Sequence, residues 1–216
     1  ATIVEAVRQG RGVYENIKKS IHFLLSSNIG EILTIFVAIF LGWQPPLLAI
    51  QLLWVNLVTD SLPAIALGID SFDKDIMLNK PKRVNSGFFS DGLGLRVFLE
   101  GCLIGVISLM AFRIGYLKYD LVVGRTMAFA VLSLSQLLHA FNVKSKKSVL
   151  NSEVFKNKPL IFSFFICSLL QISVITASGI SKIFKVVPLS LRQWAIVFVL
   201  CLLPVLVSEI QKRFAE

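Results

Sequence analysis

Residues 51–70 read QLLWVNLVTDSLPAIALGID, a stretch that decides what kind of protein this is. Leu52, Leu53, Trp54, Val55, Leu57 and Val58 suit hydrocarbon, whereas Asn56, Thr59 and Asp60 do not. An aspartate at mid-membrane costs a few kcal/mol even on the gentler insertion scales, so it is rarely found there without a partner or a task. Asn56, Thr59 and Asp60 stand at i, i+3 and i+4, which puts three oxygen-bearing side chains on one helical face. Pro63 has no N–H for the carbonyl four residues back, that of Thr59, and its ring crowds that carbonyl. The turn that carries the carboxylate is therefore expected to free a main-chain oxygen too. Broken helices are tolerated at membrane depth only where they are buried in protein or line a wet cavity. Hard cations such as calcium take roughly six to eight oxygens of mixed carboxylate, carbonyl and amide type, and this stretch offers that mixture. Asn56 and Thr59 alone would read as interhelical hydrogen-bonding groups and Pro63 alone as a kink. Together with Asp60 they favour an ion or proton site.

The surroundings fit a polytopic membrane protein. The chain has 216 residues, 55% of them hydrophobic, and carries a formal net charge of +9; its mean hydropathy is +0.76. These values exclude a disordered or ordinary soluble chain. Cys102, Cys167 and Cys201 all lie in apolar stretches without metal-ligand spacing and read as small core hydrophobes. Six membrane spans are expected at about 21–43, 47–69, 93–116, 125–141, 159–178 and 189–210, the first long enough to cross about 30 Å of hydrocarbon. The fold class is all-α. Gly10 and Gly12 are expected to interrupt the first helical turns, 117–124 to form a hairpin, 179–188 a turn, and Pro204 to kink the last span.

Six spans put both termini on one side. The amino-terminal segment, the 70–92 and 142–158 loops and the tail hold most of the Lys and Arg, while the opposite connections hold Arg113, Lys118, Arg125, Lys182 and Lys185. The positive-inside rule makes both termini cytoplasmic. The basic runs are thus topology signals that meet lipid headgroups, and no nucleic-acid partner is expected. No repeat or low-complexity tract is present. There is no signal peptide and no initiating methionine, and the chain starts inside what reads as a soluble helix, so it is expected to be part of a longer protein.

The first two spans form a hairpin, so Asn28 and Glu31, at i and i+3, can face Asn56, Thr59 and Asp60 at similar depth. Gly30 beside them would admit a second backbone closely. Two acids close together in low dielectric do not both stay ionised without a cation. A divalent ion would neutralise them and protons would replace it on departure, which predicts cation–proton exchange. Gln136 on the fourth span adds an amide oxygen if it turns inward; on its own it reads as helix–helix glue. Arg96 and Glu100 read as an interfacial i, i+4 pair, and His22 and His139 as lying outside the ion site.

SSNIGE at 26–31 together with QLLWVNLVTDSLPAIALG at 51–68 resembles the fifth and sixth transmembrane helices of the calcium-transporting P-type ATPases, closest to the sarcoplasmic/endoplasmic-reticulum class and its bacterial relatives. KDIMLNKPKR at 74–83 resembles their loop between helices six and seven. The resemblance extends over the whole chain and implies helices five to ten. Residues 1–20 would be the cytoplasmic end of the phosphorylation domain and its stalk, and 21–216 the transmembrane domain. It implies Asn28 and Glu31 as helix-five calcium ligands and Asn56, Thr59 and Asp60 as helix-six ligands, with Asp60 bridging both sites where two exist. The two-calcium pumps carry glutamate where Gln136 aligns, and the single-calcium plasma-membrane and Golgi classes do not keep Thr59 in this form, so the ligand set is mixed.

The phosphorylation motif DKTG, the TGE loop and the helix-four Pro-Glu-Gly-Leu motif are not in this sequence. The chain by itself is not expected to be catalytic. ATP and Mg2+ would be used by upstream actuator, nucleotide-binding and phosphorylation domains, which with helices one to four and the lipid bilayer are the expected partners. The expected location is a bacterial plasma membrane. Competing readings are a stand-alone channel or exchanger, a membrane scaffold, and a P-type pump for Mn2+ or Na+/K+.

Overall fold

The computed structural model describes residues 2–72, 76–77, 92–144 and 156–215. Its elements are α1 (Thr2–Phe40), α2 (Ala49–Trp54), a π-helical turn (Val55–Asp60), α3 (Ser61–Gly68), α4 (Leu93–Lys118), α5 (Leu121–Lys144), α6 (Lys158–Thr176), α7 (Ser178–Phe184) and α8 (Leu191–Ala215). No strand occurs among the described residues. Six helical segments are long and apolar enough to cross a membrane, with 49–68 counted as one, and they correspond to the six spans expected from hydropathy. The expected loop at 74–83 lies outside the described residues except Ile76 and Met77.

α1 is one continuous helix of 39 residues. At 1.5 Å per residue that is about 58 Å, nearly twice the hydrocarbon thickness, so its first half extends beyond the span. Gly10 and Gly12 do not interrupt it, contrary to expectation. Each glycine costs only about 1 kcal/mol in a helix, and tertiary contact decides the outcome at Gly12, where the Phe72 ring occupies the space a Cβ would need. Two further boundaries shift. The α4–α5 hairpin consists of Tyr119 and Asp120 alone, with Gly115 and Gly124 allowing the two backbones to meet. The expected turn after the fifth span holds the short helix α7. Pro204 lies inside α8, which continues past it.

α5 is the axis of the bundle: every residue from Thr126 to Leu137 is buried. α1 and α4 pack through small residues, as membrane helices do when backbones approach closely. A Cβ at Gly101 would lie 2.8 Å from the Ser26 carbonyl oxygen, and one at Gly30 would lie 2.8 Å from Ile104 Cγ2. That contact fixes the face of α1 that carries Glu31 toward α4 and α5. Ile104, Phe112, Phe129 and Leu132 fill the core on one side of it, and Phe23, Leu67 and Ala140 fill the other.

Candidate cation site

The second span is broken where the sequence places its polar residues. Between α2 and α3 the chain widens into the π-helical turn Val55–Asp60. Such turns appear mostly as short bulges inside α-helices, often at functional sites. Pro63, buried one turn on, withholds the N–H that a regular helix would give to Thr59. Ser61 Oγ donates instead to the Asn56 carbonyl at 2.9 Å.

The two halves of the span are tied to different neighbours. On the α2 side, Gln51 Nε2 donates to the Phe184 carbonyl at 3.0 Å and Trp54 Nε1 donates to Gln171 Oε1 at 2.9 Å. On the α3 side, Ser20 Oγ donates to the Ala64 carbonyl at 2.8 Å and Asn157 Nδ2 to the Ala66 carbonyl at 2.9 Å. Asn16 Nδ2 donates to the Asp70 carbonyl at 2.7 Å. The break is therefore fixed from both ends.

Glu31 lies at the meeting point of α1, the π-turn and α5. Its Oε2 accepts from Asn56 Nδ2 at 2.9 Å, and its Oε1 from Gln136 Nε2 at 3.3 Å. Gln136 Nε2 also reaches the Ser27 carbonyl at 3.4 Å. Glu31, Asn56 and Gln136 are thus brought together from three elements. Asp60 is 1% exposed, and its charge and that of Glu31 are close enough to repel. Thr59 and Asn28 use only their donors locally, which leaves their oxygens able to accept: Thr59 Oγ1 donates to the Val55 carbonyl at 2.9 Å and Asn28 Nδ2 to the Leu24 carbonyl at 2.7 Å. Asn56 is exposed even though its amide reaches Glu31, while Thr59 and Asp60 are buried, so the three do not share one environment as an unbroken helix would have given them.

Both carboxylate oxygens of Asp60, Gln136 Oε1, Ser27 Oγ and Ser133 Oγ are buried without a hydrogen-bond partner among the described residues. Buried polar atoms are nearly always satisfied, and leaving one bare costs about 1–3 kcal/mol, more when it is charged. All five atoms belong to residues of α1, α5 or the π-turn, with Ser27 and Ser133 about one helical turn before Glu31 and Gln136. Oxygen-only donors with two carboxylates suit a hard cation. The amides of Asn56 and Gln136 donate nitrogen to Glu31, and half a turn about the terminal bond would offer oxygen instead. Sequence reasoning did not single out Ser27 and Ser133. Both are hydroxyls inside apolar spans, a signal too common among helix-packing residues to be selective.

The interfacial reading of Arg96 and Glu100 needs correcting. Arg96 Nε does donate to Glu100 Oε1 at 2.9 Å, but Glu100 is buried and also meets His22 and His139. No local signal connects residues 78 positions apart.

Residues 44–214 match the family described as cation transporting ATPase, C-terminus. The calcium-transporting ATPase 1 of Bacillus cereus is 44% identical over an alignment covering 98% of this chain and 26% of the relative. The calcium-transporting ATPase of Bacillus subtilis is 42% identical, covering 94% of this chain and 23% of the relative. Calcium-transporting ATPase 1 of Lactococcus lactis is 37% identical, covering 98% and 24%. The chain spans about a quarter of the length of these curated relatives.

Proposed function

The chain belongs to the cation-transporting ATPase family as its carboxy-terminal membrane region, and we propose that it forms the cation-binding half of an ATP-driven calcium pump that exports Ca2+ in exchange for protons. The observation that carries this reading is Asp60, a buried carboxylate on a broken helix with no hydrogen-bond donor among the described residues, beside a second acid, Glu31. Two such acids require a counter-charge in low dielectric, and a divalent cation supplies it. Asn28, Asn56, Thr59 and Gln136 complete the ligand set with neutral oxygens. The names of the relatives support calcium as the ion.

Protons return on the vacated carboxylates because metal ligands must be deprotonated to bind, so metal and proton compete for the same atoms. The upstream actuator, nucleotide-binding and phosphorylation domains use ATP and Mg2+, and helices one to four close the site. The first half of α1, with residues 1–20, is the stalk that connects the phosphorylation domain to Glu31, and a continuous helix suits that task. Both termini are cytoplasmic and the membrane is a bacterial plasma membrane.

The experiment is uptake of radiolabelled calcium by vesicles holding the full-length protein. ATP-dependent uptake that Asp60→Asn abolishes supports the reading. Uptake driven without ATP, or by the variant at the wild-type rate, overturns it.

A further inference from the structure

Nine residues before Glu31 on α1, a second cluster of ionisable groups joins α1, α4 and α5. Its centre is Glu100, whose side chain is 6% exposed, between His22 and His139, which are as deeply buried. Glu100 Oε2 makes a short hydrogen bond with His22 Nε2 and lies 3.6 Å from His139 Nε2. Its other oxygen accepts from Arg96 Nε at 2.9 Å. Ser26 Oγ is 2.8 Å from His139 Nε2. The three candidate ligand atoms, two imidazole nitrogens and a carboxylate oxygen, all lie within 4.8 Å of one another.

This donor set differs in kind from the oxygen-only junction around Glu31. Imidazole suits zinc, copper, iron and nickel, whereas calcium and magnesium take oxygen. Two histidines and one carboxylate with a fourth position open is a recurrent zinc arrangement, with ligands at about 2.0–2.1 Å in tetrahedral disposition. That geometry sets ligand atoms about 3.3 Å apart. The Glu100–His139 pair at 3.6 Å is already near that spacing. The His22–Glu100 contact opens and the widest separation closes by up to about 1.5 Å on binding, the adjustment the ion imposes on the three side chains. Arg96 holds the oxygen that the ion does not need and so fixes the carboxylate, as outer hydrogen bonds commonly do at metal sites. Ser26 Oγ, which donates to the His22 and Phe23 carbonyls at 2.9 and 3.0 Å, gives up its contact with His139 Nε2 when that nitrogen takes the ion.

We propose that His22, Glu100 and His139 form a binding site for one zinc-class divalent cation, distinct from the junction of Glu31, Asp60 and Gln136. A bound ion ties α1, α4 and α5 together. His22 is about 13.5 Å along α1 from Glu31, and His139 is three residues from Gln136 on α5, so the tie acts on the two helices that carry those side chains. The inference rests on the ligand geometry and does not require the calcium reading.

The test is a titration of the purified full-length protein in lipid nanodiscs with Co2+ alone as a spectroscopic substitute for Zn2+, followed by Zn2+ against a chromophoric chelator. Saturating calcium is present throughout to occupy the oxygen-rich junction. The expected result is one Co2+ per chain with the visible absorption of a tetrahedral site, displaced by Zn2+. His22→Asn, Glu100→Gln and His139→Asn each weaken binding at least tenfold and remove the absorption, with calcium binding retained. His22→Cys, which keeps a metal ligand, retains Co2+ and adds a thiolate charge-transfer band. Absence of a tetrahedral signal in the wild type overturns the proposal and leaves the triad a buried ion-pair network. Equal metal uptake by wild type and variants does the same, and so does a folded His22→Cys protein without the new band.

Discussion

Asp60 has two buried carboxylate oxygens and, among the described residues, no donor for either. A charge left in that state is tolerable only if something positive visits it. At about 4 Å and an effective dielectric of about 20, a pair of unit charges is worth about 4 kcal/mol. Asp60→Asn removes one such charge with almost no change of shape, so calcium affinity should fall at least about a hundredfold, measured by equilibrium binding. Glu31 differs because Asn56 and Gln136 already donate to it. Glu31→Gln should lower calcium affinity by tenfold or more and also suppress the lumenal alkalinisation that proton return causes, read with a pH-sensitive dye in vesicles. Gln136 offers one neutral oxygen in a position where a carboxylate would add a charge, and calcium affinity rises with the ligand charge count. Gln136→Glu should strengthen binding of a second calcium, seen as a rise in bound ions per phosphorylatable site. An unchanged ratio would mean that Gln136 serves packing alone.

The break in the second span depends on features legible in the sequence itself: Pro63, and the polar residues one turn before it. Pro63→Ala returns an N–H to the Thr59 carbonyl and removes the ring clash, an effect of about 3 kcal/mol toward regular helix. The π-turn should tighten, and calcium affinity should drop about tenfold while far-UV circular dichroism shows no loss of helix. Span positions were legible for a similar reason, since hydrocarbon thickness sets a length that hydropathy reveals. Other features were not. Local propensity suggested a break at Gly10 and Gly12, but the Phe72 ring against Gly12 belongs to a residue 60 positions away. The i, i+4 spacing of Arg96 and Glu100 accounted for the glutamate locally and so concealed its burial against two histidines. Within the junction, the hairpin of the first two spans sets Glu31 and Asn56 at similar depth, whereas the local bonds of Asn28 and Thr59 depend on rotamers that no sequence pattern reports.

Across the whole molecule, the small-residue seam between α1 and α4 holds the stretch of α1 that carries Asn28 and Glu31 against α4. A Cβ at Gly101 would meet Ile29 as well as the Ser26 carbonyl. Gly101→Ala should lower stability by about 1–3 kcal/mol through overpacking, read as a fall in the thermal unfolding midpoint of the detergent-solubilised protein. In the proposed function this bundle holds a calcium ion between α1, the π-turn and α5, with Asp60 and Glu31 as its charged ligands. The most direct measurement is equilibrium binding of radiolabelled calcium to the purified full-length protein, without ATP, normalised to phosphorylatable sites, for wild type, Asp60→Asn and Glu31→Gln side by side. One tightly bound calcium per site is expected in the wild type, none at the same concentration in Asp60→Asn, and weakened binding in Glu31→Gln. Wild-type calcium binding in the folded Asp60→Asn protein would contradict it.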